Sequence, residues 1–378
     1  MKLLKEIFSF CSFFWKIPEE EKKIVIYAEH YGYYPNYEGL IEELISKNQQ
    51  NVCYITSDSK DPILEKERPG LKKFYIKNLL PFFMLFIKCK VFIMTMTDLN
   101  QFHIKRSINP VHYVYIFHAI VSTHMVYRGG SFDYYDSILC VGPHHIEEIR
   151  KYEELHKLPC KKLIKAGFYR LERIYAKYKK YLIEKSAVEK KLIVLIAPSW
   201  GANNIIESCG KPLVKLLLKK GYKVIVRPHP ETIRRFPKLI EDLSIEFGDN
   251  PDFYLERSIA TDDSVLKSDI LICDCSGIAL EYAFGTERPV LFLDVPYKIR
   301  NEKFKELGIE PLELFVRKKI GIVISPKKLD TIPRVIAKLK SEKEEYKERI
   351  IRLRKKYIYN FGHSSKISAK YIIDLVEG

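Results

Sequence analysis

The stretch Cys273-Asp274-Cys275-Ser276-Gly277-Ile278-Ala279-Leu280-Glu281 decides how this chain is read. It follows the apolar run Asp269-Ile270-Leu271-Ile272, which predicts a short buried strand. It leads into Ala279-Leu280-Glu281-Tyr282-Ala283-Phe284, which predicts a helix closed by Gly285. Asp274, Ser276 and Gly277 therefore stand where a strand turns into a helix start. Such a turn offers unpaired backbone N–H groups, the positive end of a helix dipole and a hydroxyl, which together make a phosphate site. Upstream, Val224-Ile225-Val226-Arg227-Pro228-His229-Pro230 sets Arg227 and His229 at the end of a second strand. Polar residues at two strand ends of one α/β domain point to one crevice. A nucleotide diphosphate suits it.

Outward from that turn, strand and helix signals alternate along the chain, the pattern of parallel sheets with crossover helices. Strands are predicted over 23–28, 51–56, 71–76, 91–95, 111–117, 136–141 and 162–165, then over 192–197, 223–226, 253–255, 269–273, 289–293 and 320–324. Helices fall between them, including one broken or started near Gly210-Lys211-Pro212 and one charged helix from Lys327 to about Tyr357. At 378 residues the chain exceeds one ordinary core. The expected organisation is an amphipathic segment over 1–20, one α/β domain over 21–188, a second over 189–350 with the junction near 185–191, and a terminal helix over 351–378 that folds back onto the first domain.

Hydrophobic content of 47% with 30% charge is ordinary for a globular protein. A net charge of +16 calls for an anionic partner: nucleic acid, a membrane surface or a phosphorylated substrate. The lysines are spread along the chain and no nucleic-acid motif is visible, so nucleic acid is not expected. Eight scattered cysteines fit a reduced, cytoplasmic setting. Cys273 and Cys275 form a lone C-x-C pair, too little for a metal site, and no metal or cofactor is expected. Asp262-Asp263 reads as a helix N-cap with a first-turn acid.

At the N-terminus Leu3, Leu4, Ile7, Phe8, Cys11 and Phe14-Trp15 share one helical side, with Lys2, Lys5 and Lys16 beside them. That describes a helix lying on a membrane surface. Pro18-Glu19-Glu20-Glu21 follows where a secretory leader has a small-residue cleavage site. The apolar run 79–96, interrupted by Lys88 and Lys90, reads as a buried helix followed by a strand.

Further candidate residues lie at other strand ends. His118, in Tyr115-Ile116-Phe117-His118-Ala119, is placed to take a proton from a hydroxyl, since imidazole titrates near working pH. His124 in Ser122-Thr123-His124-Met125 is a second candidate there, for the acceptor, whereas His112 reads as packed. In Ile196-Ala197-Pro198-Ser199-Trp200-Gly201, Gly201 permits close backbone approach to a ligand and Trp200 covers a base or lines the crevice. Arg227 offers a two-pronged donor to phosphate. His229, fixed between two prolines, donates to a leaving phosphate. Glu281, one turn into its helix, is a candidate acceptor for ribose hydroxyls.

Phe117-His118, Ala197-Pro198-Ser199-Trp200, Arg227-Pro228-His229-Pro230, and Asp274-Cys275-Ser276-Gly277 with Arg288-Pro289-Val290 together resemble the CDP-glycerol glycerophosphotransferase family of teichoic-acid primases and polymerases. The resemblance spans roughly 110–300 and is strongest from 192 onward. It implies the GT-B architecture: two Rossmann-like domains facing a central cleft, acceptor domain first and nucleotide-donor domain second. It also implies transfer of glycerol phosphate or a related alditol phosphate from a CDP-alditol to a hydroxyl of a lipid-linked glycan. The reaction it implies releases CMP, at the inner face of the cell membrane. His118 would be the base, and Arg227, His229 and Ser276 would hold the donor phosphates. Two segments depart from the family pattern. His118-Ala119-Ile120-Val121-Ser122 replaces His-Gly with a Pro-Leu-Lys segment, and Asp274-Cys275-Ser276-Gly277 replaces Asp-Tyr-Ser-Ser. Ser-Gly at this turn is also similar to UDP-N-acetylglucosamine 2-epimerases and other GT-B enzymes. A nucleotide-sugar glycosyltransferase for capsule or lipopolysaccharide is therefore the alternative.

Overall fold

The computed structural model of the chain describes residues 2–184, 191–257 and 261–378. The predicted junction near 185–191 lies outside the described residues except for Lys191. The described residues contain thirteen strands in two sheets, and each predicted strand is present.

The first sheet holds β1 (Ile24–Ala28), β2 (Val52–Thr56), β3 (Leu71–Tyr75), β4 (Val91–Met94), β5 (His112–Ile116), β6 (Ser137–Cys140) and β7 (Lys162–Lys165). Their order is β3-β2-β1-β4-β5-β6-β7, parallel throughout. Register is set at β1, where Ile24 faces Val52 on one side and Val91 on the other. All residues of β1, β2, β4 and β6 are buried. Unbroken apolar strands of this kind need helices over both sheet faces. The helix Ser364–Glu377 supplies part of that cover: Ala369, Tyr371, Ile372 and Val376 join Ile24, Tyr37 and Leu40 in one apolar cluster.

The second sheet holds β8 (Ile193–Ile196), β9 (Lys223–Val226), β10 (Phe253–Leu255), β11 (Ile270–Cys273), β12 (Val290–Leu293) and β13 (Gly321–Ile324). Its order is β10-β9-β8-β11-β12-β13, again parallel. Each sheet thus follows the doubly wound Rossmann order. In each, the chain reverses direction of travel beside the first strand, between β1 and β4 and between β8 and β11. Ligands bind such sheets outside the carboxyl ends of the strands at that reversal. Two compact units contain these sheets. One takes in the chain through His118, Tyr127–Arg170 and Tyr357–Gly378, and the other takes in Ala119–Val126 and Leu171–Lys356.

Several local expectations are corrected. The helix after β11 runs Gly277–Thr286 and closes at Glu287, not at Gly285. Glu287 holds the left-handed conformation at φ 58° and pairs with Arg354 at 2.9 Å and Lys179 at 3.2 Å. Gly285 lies inside the helix, packed against Ile174. The helix Ile205–Lys219 runs through Pro212 unbroken, started by Asn204, whose side chain accepts from Ile206 N–H at 2.8 Å. The charged stretch from Lys327 is two helices, Ile332–Ser341 and Lys343–Tyr357, rather than one. Asp262 does precede the helix Asp263–Lys267, but its carboxylate does not cap it. It pairs with Arg173 and Lys177, both at 3.1 Å. The run from Leu79 forms a helix, Leu80–Phe86, that is only half buried, with Phe82 59% and Phe86 48% exposed.

Candidate active site

Because the second sheet is parallel, the loops after β8, β9, β11 and β12 all leave its carboxyl edge. Those four loops carry most of the residues singled out above. At the reversal point the loops after β8 and β11 are tied together. Asp274 is buried, and its carboxylate accepts the Ser199 N–H at 2.9 Å and the Ser199 hydroxyl at 2.9 Å. Burial pushes the Asp274 carboxyl above its ordinary range, and the Ser199 donors pull it back. Cys273 adds a second tie, its thiol donating to Ala197 O at 2.9 Å. Asp274 therefore shapes the turn and presents no carboxylate to a ligand.

Ser276 stands at the N-cap of Gly277–Thr286 without its side chain capping the helix. The first-turn N–H groups there are the orphan donors that every helix start leaves. A Cβ on Gly277 would come within 3.1 Å of the Ala119 Cβ, so the segment at Ala119 packs closely on this helix start. The segment 119–126 that makes the approach is anchored within the second unit. Ser122 donates its N–H at 2.9 Å and its hydroxyl at 2.8 Å to buried Glu313.

Trp200 lies in the loop after β8 and is partly exposed. Its indole carries cations: Lys298 Nζ at 4.2 Å, the Arg235 guanidinium at 5.0 Å and that of Arg300 at 6.0 Å from the ring centroid. The His229 ring is 6.1 Å away, centroid to centroid. Next to Trp200, Gly201 adopts φ +128°, a conformation open to glycine. His229 accepts the Glu231 N–H on Nδ1 at 3.1 Å, which leaves the neutral ring's proton on Nε2. Glu231 is held by Arg234 and Arg235 at 2.7 and 2.8 Å, and that pairing keeps its carboxyl down at about 2.

Lys298 and Arg300 were not anticipated from the sequence. They belong to the loop after β12, which is fixed at both ends. Asp294 pairs with Arg317 at 2.9 Å, and Arg317 donates to the Tyr297 hydroxyl at 2.7 Å. Further on, Arg300 N–H donates to Met125 O at 3.0 Å. Burial, then the nearby Arg300 charge, lowers the Lys298 ammonium to about 8. The available signal was a cationic pair just beyond a buried strand, the same kind of signal that singled out Arg227.

Three further sequence candidates, like Asp274, take internal roles. Arg227 is 5% exposed, and its guanidinium donates to Ser264 Oγ at 3.2 Å and Thr261 O at 3.1 Å and lies 3.6 Å from the Glu256 carboxylate. Glu281 is 5% exposed, on a helix enclosed nearly all round. His124 is buried, with Nε2 at 3.0 Å from Ile309 O and its backbone carbonyl accepting from Asn301 at 2.9 Å.

In the first unit, His118 lies just beyond β5, after Phe117, at the carboxyl edge of that sheet and is partly exposed. Tyr33 and Tyr127 meet its ring edge-on at 5.2 and 6.2 Å. His112 bonds Ser137 Oγ at 2.9 Å within the sheet. Among the described residues, no group of three or more His, Cys, Asp or Glu side chains is arranged to hold a metal ion.

The family model for CDP-glycerol:poly(glycerophosphate) glycerophosphotransferases matches residues 9–377. The chain belongs to that family. As a family member it is a transferase, and its two Rossmann-like domains are those of the GT-B fold. A histidine-to-asparagine variant of the wall teichoic acid polymerase TagF, soaked with CDPG, is similar at TM-score 0.60 and 14% identity, over 100% of this chain and 98% of that one. The S. aureus MnaA–UDP structure is similar at TM-score 0.57 and 14% identity, over 94% and 98%. A UDP-GlcNAc 2-epimerase from Neisseria meningitidis is similar at TM-score 0.57 and 15% identity, over 93% and 100%. These likenesses are of fold. No curated protein sequence matches the chain.

Proposed function

We propose that this family member transfers an alditol phosphate, glycerol phosphate first among the candidates, from a CDP-alditol to a hydroxyl of a lipid-linked cell-surface glycan of teichoic-acid or capsule type, releasing CMP. The work is done at the cytoplasmic face of the cell membrane. One observation carries the reading: a helix start at Gly277, His229, and Lys298 and Arg300 over Trp200 share the carboxyl edge of one sheet. The two carboxylates nearest them are already committed, Asp274 to Ser199 and Glu231 to two arginines. Such a site has cationic charge left over for a diphosphate.

In this reading the His118 ring takes the proton of the acceptor hydroxyl. The oxygen attacks the β-phosphorus, and the bond from that phosphorus to the bridging oxygen breaks. CMP departs with the electron pair. His229, with its proton on Nε2, donates to the departing phosphate, while Lys298, Arg300 and the N–H groups after Ser276 offset the charge that builds up. Phosphoryl transfer asks little covalent help from a protein and depends on positioning and electrostatics. Trp200 and Gly201 line the donor site. Arg227, rather than touching phosphate, holds the His229 loop in place through Glu256 and Ser264.

The test is CMP release from CDP-glycerol and CDP-ribitol with membranes or a lipid-linked glycan as acceptor. The expected result is release that His118→Ala and His229→Ala sharply reduce. Sugar transfer from a nucleotide sugar with no CMP release would replace this reading with a nucleotide-sugar glycosyltransferase.

A further inference from the structure

We infer that the segment Ala119–Val126 ties the base at His118 to the donor site, with Asn301 and Ser122 as positioning residues. The inference deepens the proposed reaction and rests on it for the roles of His118 and of the donor groups. Ala119 is peptide-bonded to His118, and the segment belongs to the second compact unit. Ile120, Val121, Ser122, Thr123, His124 and Met125 are all buried. A segment that only linked β5 to the chain beyond would run over the surface, where water serves its backbone. A buried one must find its hydrogen-bond partners within the protein.

Both features assigned to the donor phosphates, the helix start and the cationic loop, pack against this segment. At the helix start, a Cβ on Gly277 would stand 3.1 Å from the Ala119 Cβ and 3.4 Å from Val121 Cγ1. In the loop after β12, Arg300 serves at two ends. Its guanidinium lies 6.0 Å from the Trp200 ring centroid, and its N–H donates to Met125 O at 3.0 Å. The Asn301 side-chain amide donates to His124 O at 2.9 Å, while its Oδ1 accepts the Lys303 N–H at 3.1 Å. One asparagine side chain thus joins the loop of Lys298 and Arg300 to the residues that follow the base. Midway, Ser122 gives its N–H and its hydroxyl to Glu313 at 2.9 and 2.8 Å. Glu313 is itself buried, so this anchor is shielded from water.

The consequence falls on the chemistry at His118. Tyr33 and Tyr127 meet its ring edge-on at 5.2 and 6.2 Å and orient the imidazole. Its backbone is set from one side by β5 and from the other by Ala119. A base works only within hydrogen-bond reach of the hydroxyl it deprotonates, and a misplacement of about 1 Å costs about 10²-fold in rate. A donor phosphate that draws in Lys298 and Arg300 therefore also steadies the residues next to the base. Asn301 and Ser122 are committed to protein groups and act through His118.

Two substitutions in the full chain test it. Asn301→Ala removes the bond to His124 O, and Ser122→Ala removes the hydroxyl bond to Glu313 while keeping the N–H bond. Each should lower kcat for CMP release by about tenfold or more, with a smaller change in donor KM. In a His118→Ala background the same substitutions should change single-turnover release by less than about twofold, since no base is left to position. Equal losses in both backgrounds, or a rise in donor KM larger than the loss in kcat, would overturn the inference. Hydrogen–deuterium exchange over residues 119–126, with and without saturating CDP or UDP, reads the same tie without turnover. Nucleotide should slow exchange there in the wild type, and Asn301→Ala should lose most of that protection. No protection in the wild type, or equal protection in both proteins, would also overturn it. A wild type that releases no CMP yet shows protection dependent on Asn301 removes the proposed reaction and leaves the tie standing.

Discussion

Ser199 donates its N–H and its hydroxyl to the same carboxylate, that of buried Asp274, each at 2.9 Å. This joins the loop that carries Trp200 to the turn that starts the helix at Gly277. Asp274→Ala would leave the Ser199 N–H with no acceptor where it now has one. A stranded donor of this kind costs about 1–3 kcal/mol. A lower denaturation midpoint together with a raised donor KM is expected. Ser199→Ala, which keeps the N–H bond, should cost about 1 kcal/mol by the same reasoning.

Lys298 sets a pH dependence. Burial and Arg300 bring its ammonium to about 8, below the ordinary lysine value near 10.4. The folded protein therefore carries this charge below about pH 8 and loses it above, while the unfolded chain keeps it to near pH 10.4. Donor KM should be lowest below pH 8 and rise through it. Lys298→Arg, whose guanidinium stays protonated, should remove that rise. Lys298→Met should raise KM at neutral pH and flatten the profile. Holding the charge in a partly buried place beside Arg300 costs stability below pH 8, and the cost is relieved as pH climbs toward 10.4. The wild type should gain stability relative to Lys298→Met across that window, as urea unfolding at several pH values would show.

Arg227 is expected to act on stability more than on donor affinity. Its guanidinium and the Glu256 carboxylate are both buried, 3.6 Å apart. Removing one partner of a buried pair leaves the other charge uncompensated, at about 3–5 kcal/mol. Arg227→Ala should depress the melting temperature strongly. A large rise in donor KM at unchanged melting temperature would assign the residue to phosphate instead.

His118→Ala should lower kcat by roughly 10²–10⁴, the usual contribution of a positioned base. Donor KM should stay close to wild type, since the base acts on the acceptor hydroxyl and the ring is partly exposed. CMP release over a range of donor concentrations measures both.

The sequence by itself determined the thirteen strands, because runs such as Ile24–Ala28 and Ile270–Cys273 are apolar without interruption and bounded by turn residues. That pattern already requires parallel sheets covered on both faces. It also located the helix start at Ser276–Gly277 and the histidines at strand ends, since those depend on spacing within a few residues. Only the tertiary structure decided how the polar groups are used. Arg227 and Lys298 are alike in sequence only as cations that follow buried strands, Arg227 at once and Lys298 further into its loop. Glu256 and Ser264, distant neighbours of Arg227 along the chain, occupy its guanidinium. Lys298 lies over Trp200 with Arg300 as a like-charged neighbour. Glu281, one turn into its helix, reads as an acceptor for ribose hydroxyls, yet that helix is enclosed on nearly every side. Glu6 looks like one more charge on an amphipathic helix, yet it is the buried acceptor that fixes the helix. Local spacing fixes backbone period and hydrogen-bond demand. Whether a charge is paired, buried or left for a ligand depends on which distant segments fold against it, and only the assembled sheets supply those.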